Sequence, residues 1–231
     1  MYKVSISPSQ QIENTCYYKD CNEQKHMFII GGILYNLLER DKLFDTMITT
    51  KLPKMKQSEY LTKCVQETEK WQGKEGIRIS EHSDGGYAGL GVSIFYYKNG
   101  TEGEKLAKIM YRKMCLLTPW LDLNCYARPE LYEIRKPSCI AILIENSFHD
   151  KKESAEFLHN RADEIAKVQY EAILEYYNIN NTNNTNNTDN AIKSGINIAY
   201  NKKYISDKSY WYTKSKKDED IAQLFINISK Y

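Results

Sequence analysis

The alternation of short β-branched strands with amphipathic helices is the feature that most constrains this fold. Segments with the composition of strands are 3–7, 44–49, 77–80, 89–97, 131–134 and 138–145. Segments with the 3.6-residue periodicity of helices are 22–40, 58–71, 102–116 and 151–177. This order predicts an α/β fold, in which a mainly parallel twisted sheet carries helices on both faces.

The composition divides the chain into three parts. Residues 1–177 carry the alternating pattern and can support one well-packed domain. Residues 178–190 form an Asn/Thr repeat that is typical of a flexible linker. Residues 191–231 have enough apolar side chains for a small C-terminal helical module but too few for an independent core. We expect this module to form a homo-oligomer or to dock on another surface.

Charge and hydropathy exclude several classes of partner. The 32 basic and 30 acidic side chains are interspersed and leave a net charge of +2, so we expect no nucleic-acid partner. No apolar run approaches the ~18 residues that a membrane span needs, and the N-terminus lacks the apolar core of a signal peptide. The sequence therefore predicts no membrane segment and a soluble product made in the cytoplasm.

The cysteines indicate reduced thiols rather than a disulfide framework. The chain has six, none in a CxxC pair, and Cys139 lies inside an apolar strand. Cys16 and Cys21 are not followed by a second pair, so their spacing does not favour a zinc site.

Polar residues that could carry chemistry follow the ends of predicted strands. His82 ends the strand at 77–80 and precedes a glycine-rich loop, Glu145 closes the strand at 138–145, and Glu23 opens the first helix. Each has an ordinary explanation, since a loop histidine is often a surface residue and a helix dipole favours an acid in the first turn. Because parallel strands end at the same side of a sheet, we expect the three side chains to meet there.

This set of oxygen and nitrogen donors is typical of a metal-assisted hydrolase. Zinc held by protein groups keeps an open position for water and can polarise a carbonyl, while Glu145 would serve as general base. The sequence has no GxSxG elbow, P-loop or GxGxxG fingerprint, so it does not support a serine hydrolase, an NTPase or a dinucleotide enzyme.

Together these motifs resemble the zinc-dependent N-acetylmuramoyl-L-alanine amidases of the amidase_3 type. The resemblance covers residues 1 to about 177. The motifs that carry it are Asn22-Glu23 opening a helix, Ser80-Glu81-His82-Ser83-Asp84, Gly91-Val92-Ser93-Ile94-Phe95-Tyr96-Tyr97, Glu130-Leu131-Tyr132, and Ile142-Leu143-Ile144-Glu145-Asn146-Ser147-Phe148-His149-Asp150.

The resemblance implies that Glu23 and His82 are zinc ligands and that Glu145 is the catalytic carboxylate. It implies bacterial peptidoglycan as substrate, cleaved at the amide between N-acetylmuramic acid and L-alanine. The chain is also similar to clostridial phage endolysins, which reach the wall through a holin, so we expect it to act on the cell wall after release. A sporulation or autolytic role remains open.

The sequence departs from the family in the loop after the first strand, where the family has a metal-binding histidine. Here the loop reads Ser7-Pro8-Ser9-Gln10-Gln11. An amide oxygen of Gln11, or less favourably of Gln10, could replace that histidine, or His26 or His149 could compensate. We predict Gln11 as the third ligand.

The resemblance also suggests substrate-binding residues and leaves alternatives. Asn14 would hold the loop or the glycan, and the groove near Asp84 and Tyr87 would face the peptide stem. If the altered loop has lost the metal, the chain would be a non-catalytic wall-binding protein on an amidase fold. A second alternative is a zinc carboxypeptidase of the stem peptide.

Overall fold

The structure is a computed structural model that describes residues 1–86, 90–120, 124–179, 185–215 and 219–228. Its main part is one six-stranded sheet covered by helices. The strands are β1 (Tyr2–Pro8), β2 (Phe44–Ile48), β3 (Ile77–Asp84), β4 (Ser93–Tyr96), β5 (Asn124–Ala127) and β6 (Ile140–Phe148). The helices are α1 (Glu23–Arg40), α2 (Gln57–Gln72), α3 (Glu102–Leu117), α4 (Tyr132–Arg135), α5 (Lys152–Asn160), α6 (Ala162–Tyr176), α7 (Thr185–Asn201), α8 (Lys208–Ser215) and α9 (Glu219–Ile228).

The sheet has the strand order β2-β1-β3-β6-β4-β5 and is mostly parallel. Strands β2, β1, β3 and β6 run in the same direction, whereas β4 is antiparallel to β6, and β5 is parallel to β4. The predicted α/β architecture is therefore confirmed. The carboxyl ends of β1, β3 and β6 meet at one end of the sheet, which is where ligands bind in folds of this kind.

The two faces of the sheet are buried in different ways. On one face, apolar strand residues such as Ile6, Ile79 and Ile144 pack against α1, α3 and α6 in the main core. On the other face, alternate residues of the same strands are polar and lie under α2 and α4, among them the fully buried Ser7 and Arg78. The strand period of two therefore places one apolar and one polar row in a buried environment.

The predicted strand at 131–134 is wrong, because these residues begin the short helix α4. The backbone N–H groups of Arg135 and Lys136 donate to the carbonyls of Leu131 and Tyr132, which is a helical pattern. Leu131 and Ile134, three residues apart, then face the same apolar cluster beneath β4 and β6. The position beside β4 is taken by β5, a strand that the periodicity did not predict.

Other element bounds also differ from the prediction. Strands β3 and β6 continue to Asp84 and Phe148, so His82 lies within a strand rather than after it. The single helix expected at 151–177 is two helices that break at Arg161, whose φ of −121° and ψ of 24° are not helical. Nη1 of Arg161 donates to the Leu117 carbonyl, which joins this break to the end of α3.

The C-terminal helices pack on one another and on the main domain. Helix α7 begins at Thr185, inside the segment predicted as a linker, and it crosses α9 closely enough that a Cβ added at Gly195 would lie 1.7 Å from the Phe225 carbonyl oxygen. Ile192, Ile196 and Phe225 are buried in this small cluster. Leu116 at the end of α3 packs against it, so the tail docks on the main domain. Self-association of the tail stays a prediction.

Within the described part of the chain, no helix is both long and apolar enough to cross a membrane.

Candidate active site

A cleft of about 450 Å³ opens at the carboxyl ends of β1, β3 and β6. Strand β3 and strand β6 pair so that His82 lies directly opposite Glu145 in the register. Residues of the loop after β1 close the other side. The lining residues are Gln11, Asn14, Thr15, Glu23, Ser83, Asp84, Gly85, Gly86, Glu145, His149 and Asp150.

Glu23 is aimed into this cleft by the start of α1. Asn22 caps the helix by accepting a hydrogen bond from the Lys25 backbone N–H at 2.9 Å, and the Glu23 N–H donates to the Asn14 carbonyl. Glu23 is fully buried and its Oε1 lies 2.9 Å from Nδ1 of His82. The predicted meeting of Glu23 and His82 is therefore present, and it is a direct contact.

His82 is held between two carboxylates, one of which the sequence did not reveal. Its Nε2 lies 2.7 Å from Oε2 of Glu133, a residue of α4. Burial alone would lower the pKa of His82, but Glu133 and Glu23 outweigh it and raise that pKa well above its usual value. Among the described residues, those that line the cleft include Glu23 but not His82, which it contacts.

Glu133 is itself paired with a buried arginine. Arg78 is fully buried in β3 and donates from Nη2 to Oε1 of Glu133 at 3.0 Å and to the Ser7 hydroxyl at 2.7 Å. Burial would raise the pKa of Glu133, yet His82 and Arg78 lower it to about 2. A series of side-chain contacts, Arg78–Glu133–His82–Glu23, thus runs from the polar face of the sheet to the cleft.

The sequence contained one signal for Glu133. Arg78 interrupts the apolar run of β3, and an arginine in a buried strand needs a carboxylate partner. The sequence does not show which carboxylate pairs with Arg78, because Glu133 lies in a helix where the sequence pattern predicts a strand.

The loop after β1 places Gln11 and Asn14 beside Glu23. Nδ2 of Asn14 donates to Glu23 Oε2 at 2.6 Å and to Gln11 Oε1 at 3.1 Å, and Nε2 of Gln11 lies 3.5 Å from Glu23 Oε1. Gln10 points elsewhere: it accepts from the Leu52 N–H and donates to the Thr50 carbonyl. Gln11 rather than Gln10 is therefore the glutamine at the cleft.

The two histidines considered as substitutes occupy different places. His149 lines the cleft, and its Nδ1 lies 2.8 Å from the Ser83 carbonyl oxygen. His26 is away from it, in contact with Cys16 and Cys21. Among the substrate-binding residues predicted, Asn14 and Asp84 line the cleft, whereas Tyr87 lies outside the described residues.

Glu145 is the carboxyl group of the cleft that lacks a partner. Its Oε2 is buried and makes no hydrogen bond within the described part of the chain. Burial raises its pKa to about 8, against a lowering effect of His82 and with further upward contributions from Glu23, Asp84 and Glu133. A carboxyl group with a pKa near neutrality can exchange a proton in the physiological range, which is what a general acid or base requires.

Another carboxyl group with a raised pKa, Glu81, is fully buried in β3 one residue before His82. Its Oε2 accepts from Asn146 at 2.6 Å and from Gln169 at 3.0 Å, while its Oε1 has no hydrogen-bond partner among the residues that the structure describes. Burial raises its pKa to about 7, although the two amides lower it somewhat.

We expect Glu81→Gln to stabilise the fold above pH 7. The folded-state pKa of Glu81 is raised from the usual 4.5 to about 7, so the native state holds the proton more tightly and the wild type loses stability as pH rises across that interval. Glutamine stays neutral, so at pH 8 the variant should exceed the wild type by roughly 2 to 3 kcal/mol, with little difference at pH 4.5. Urea unfolding of both at several pH values tests this, and a difference that does not grow with pH would contradict it.

Known proteins share the sequence pattern and the fold of this chain. A model of the Amidase_3 family, described as N-acetylmuramoyl-L-alanine amidase, matches residues 12–175. Because this match covers most of the chain, the protein belongs to that family, whose members hydrolyse peptidoglycan. Amidases of this family generally depend on zinc. No curated protein matches the sequence.

Several solved structures share the fold at low sequence identity. The catalytic domain of the amidase CwlV from Bacillus (Paenibacillus) polymyxa var. colistinus is 15% identical, with a TM-score of 0.68 over 78% of this chain and 100% of that one. The CwlD amidase from Clostridioides difficile, solved with the GerS lipoprotein, is 14% identical, with a TM-score of 0.66 over 78% and 100%. The catalytic domain of the CD27L endolysin targeting Clostridia Difficile is 21% identical, with a TM-score of 0.62 over 76% and 98%.

Proposed function

We propose that this amidase cleaves the bond between N-acetylmuramic acid and L-alanine with Glu145 as general base beside a zinc site at Glu23 and His82. The observation that carries the proposal is that Glu23, which contacts the buried imidazole of His82, lines the same cleft as Glu145, whose buried Oε2 has no hydrogen-bond partner among the described residues. Such a pair supplies metal ligands, and such a carboxyl group supplies a proton acceptor.

The side chains at this place fit zinc. Glu23 would contribute a carboxylate oxygen and His82 its Nδ1. Nε2 of His82 would remain hydrogen-bonded to Glu133, because a metal-binding histidine usually bonds a carboxylate or carbonyl through its other ring nitrogen. Gln11 is the proposed third ligand, after a half-turn of its amide that brings the oxygen toward Glu23. When bound, zinc supplies Lewis-acid polarisation of the scissile carbonyl and lowers the pKa of water to about 7.

The residues of the chain divide the remaining tasks. Glu145 takes a proton from the attacking water at its unpartnered Oε2 and returns it to the departing amine of L-alanine. Asn14 keeps Glu23 in place through the hydrogen bond from its Nδ2 to Glu23 Oε2, which does not depend on the orientation of the Gln11 amide. Asp84, which lines the cleft, is proposed to face the peptide stem.

The biological setting is a further part of the proposal. The fold shared with an endolysin catalytic domain supports a lytic role, as an endolysin released through a holin or as an autolysin. Helices α7 to α9 would then form a wall-binding or self-associating module. The rival function is wall binding without catalysis, and it draws on the altered loop, where Gln11 stands in place of a histidine.

The test is mass analysis of what the full chain releases from purified walls, together with zinc content of the same sample. Stem peptides with a free L-alanine amine are expected from the wild type, and His82→Ala should lower the zinc content and abolish release. Release of free D-alanine would identify a carboxypeptidase instead. No release after zinc is supplied would replace the proposal by the wall-binding function.

A further inference from the structure

A second cluster of metal-ligating side chains lies outside the cleft. It consists of Cys16, Cys21 and His26, whose ligand atoms all lie within 4.8 Å of one another. Sγ of Cys16 is 3.4 Å from Nδ1 of His26, and Sγ of Cys21 is 3.0 Å from its Nε2. Among the described residues, this is the group of three or more Cys, His, Asp or Glu side chains that meets such a distance limit.

The fold builds this cluster from two elements. Thr15 and Asn22 form an isolated antiparallel bridge, and the Cys16 N–H donates to the Cys21 carbonyl, so the two cysteines stand side by side at the base of a tight turn. Helix α1 then brings His26 over them from its first turns. The cysteine spacing alone gave no zinc signal because the third donor comes from the helix.

The distances suit a tetrahedral ion. With Zn–S of about 2.3 Å and Zn–N of about 2.0 Å, tetrahedral ligands lie roughly 3.5 to 3.8 Å apart. The 3.4 Å between Cys16 Sγ and His26 Nδ1 is close to that spacing, whereas Cys21 contacts the other ring nitrogen and has to turn its thiol toward Nδ1 to share the ion. Thiolate and imidazole donors favour zinc over magnesium or calcium. A fourth donor is near, since the ring of His159 on α5 lies 5.9 Å from the His26 ring, centre to centre.

We propose that Cys16, Cys21 and His26 form a second, structural zinc site, with His159 as its fourth ligand. Cys16 and His26 are buried, and Cys21 and His159 are open enough for an ion to enter. His159 has to turn toward the ion from its exposed position on α5. This site is independent of the one proposed at Glu23 and His82.

The site would fasten the loop that shapes the cleft. Asn14 lies two residues before Cys16 and holds both Gln11 and Glu23. On the other side of the cluster, the Tyr17 N–H donates to the His149 carbonyl at 2.8 Å. An ion bound to α1, α5 and this loop would therefore hold in position the loop residues that line the cleft.

Cobalt(II) titration of the reduced, metal-stripped full chain tests the proposal. Cobalt bound by thiolates gives a strong near-ultraviolet charge-transfer band, whereas oxygen and imidazole ligands alone do not give it. We expect the band in the wild type and in His82→Ala, which removes only the proposed catalytic site. It should be lost in the double variant Cys16→Ser, Cys21→Ser, and zinc should displace it.

Cys125→Ser is the matched control, because Cys125 is partly exposed and lies away from the cluster on β5; it should keep the band. His159→Ala should keep a thiolate band of altered visible spectrum. No band in the wild type, or an undiminished band in the double variant, would overturn the proposal. So would a thiol count two below six in freshly purified protein, because a Cys16–Cys21 disulfide would then occupy the pair.

Discussion

Glu145→Gln should reduce the release of stem peptides from purified walls by about 10²- to 10⁴-fold, the contribution typical of a general base. Glutamine has nearly the same shape but cannot accept the proton from water. The fold should tolerate the change, since Oε2 of Glu145 makes no hydrogen bond to the described residues that glutamine would break. Counting new amino termini over time measures the effect.

The zinc content and the thermal unfolding temperature of the variant should stay near those of the wild type. Glu59→Gln, on the exposed surface of α2, is the matched control and should cleave at the wild-type rate. If Glu145→Gln retained full activity with intact zinc, the proton acceptor would have to be another group of the cleft, and the proposed role of Glu145 would fail.

The part of the site that the sequence could predict is the part that strand order determines. Glu23 follows the helix start after β1, and His82 and Glu145 belong to neighbouring parallel strands, so their approach follows from the topology alone. Local patterns were sufficient there because β-branched strands and a capped amphipathic helix are strong signals.

The contacts that sequence reasoning missed depend on elements with weak local patterns. Helix α4 is four residues long, and a short apolar run does not separate a strand from a helix turn, so Glu133 was not placed against His82. The grouping of Cys16, Cys21 and His26 depends on a turn closed by a single bridge, which leaves no periodic signature. In both places side chains meet through tertiary packing rather than through spacing along the chain.

Removal of the Glu133 carboxylate should cause the largest loss of stability. Arg78 is fully buried, and its other hydrogen bonds among the described residues go to neutral groups such as the Cys64 carbonyl and the Ser7 hydroxyl. Glu133→Ala would therefore leave it as an uncompensated buried charge. Breaking a buried pair in this way typically costs 3 to 5 kcal/mol. We expect a destabilisation of about that size in urea unfolding at pH 7, with a smaller effect for Glu133→Gln, which keeps a hydrogen-bond acceptor.

A double variant separates this structural role from a role in orienting His82. Arg78→Met with Glu133→Leu removes both charges and fills the space, and such replacements are often neutral for stability. Its unfolding free energy should therefore return toward that of the wild type. Its wall-cleaving activity should stay about 10- to 100-fold low, because His82 still lacks the carboxylate that fixes its ring and supports metal binding. Recovery of activity together with stability would show that Glu133 serves only to neutralise Arg78, whereas stability without activity assigns it to the orientation of His82.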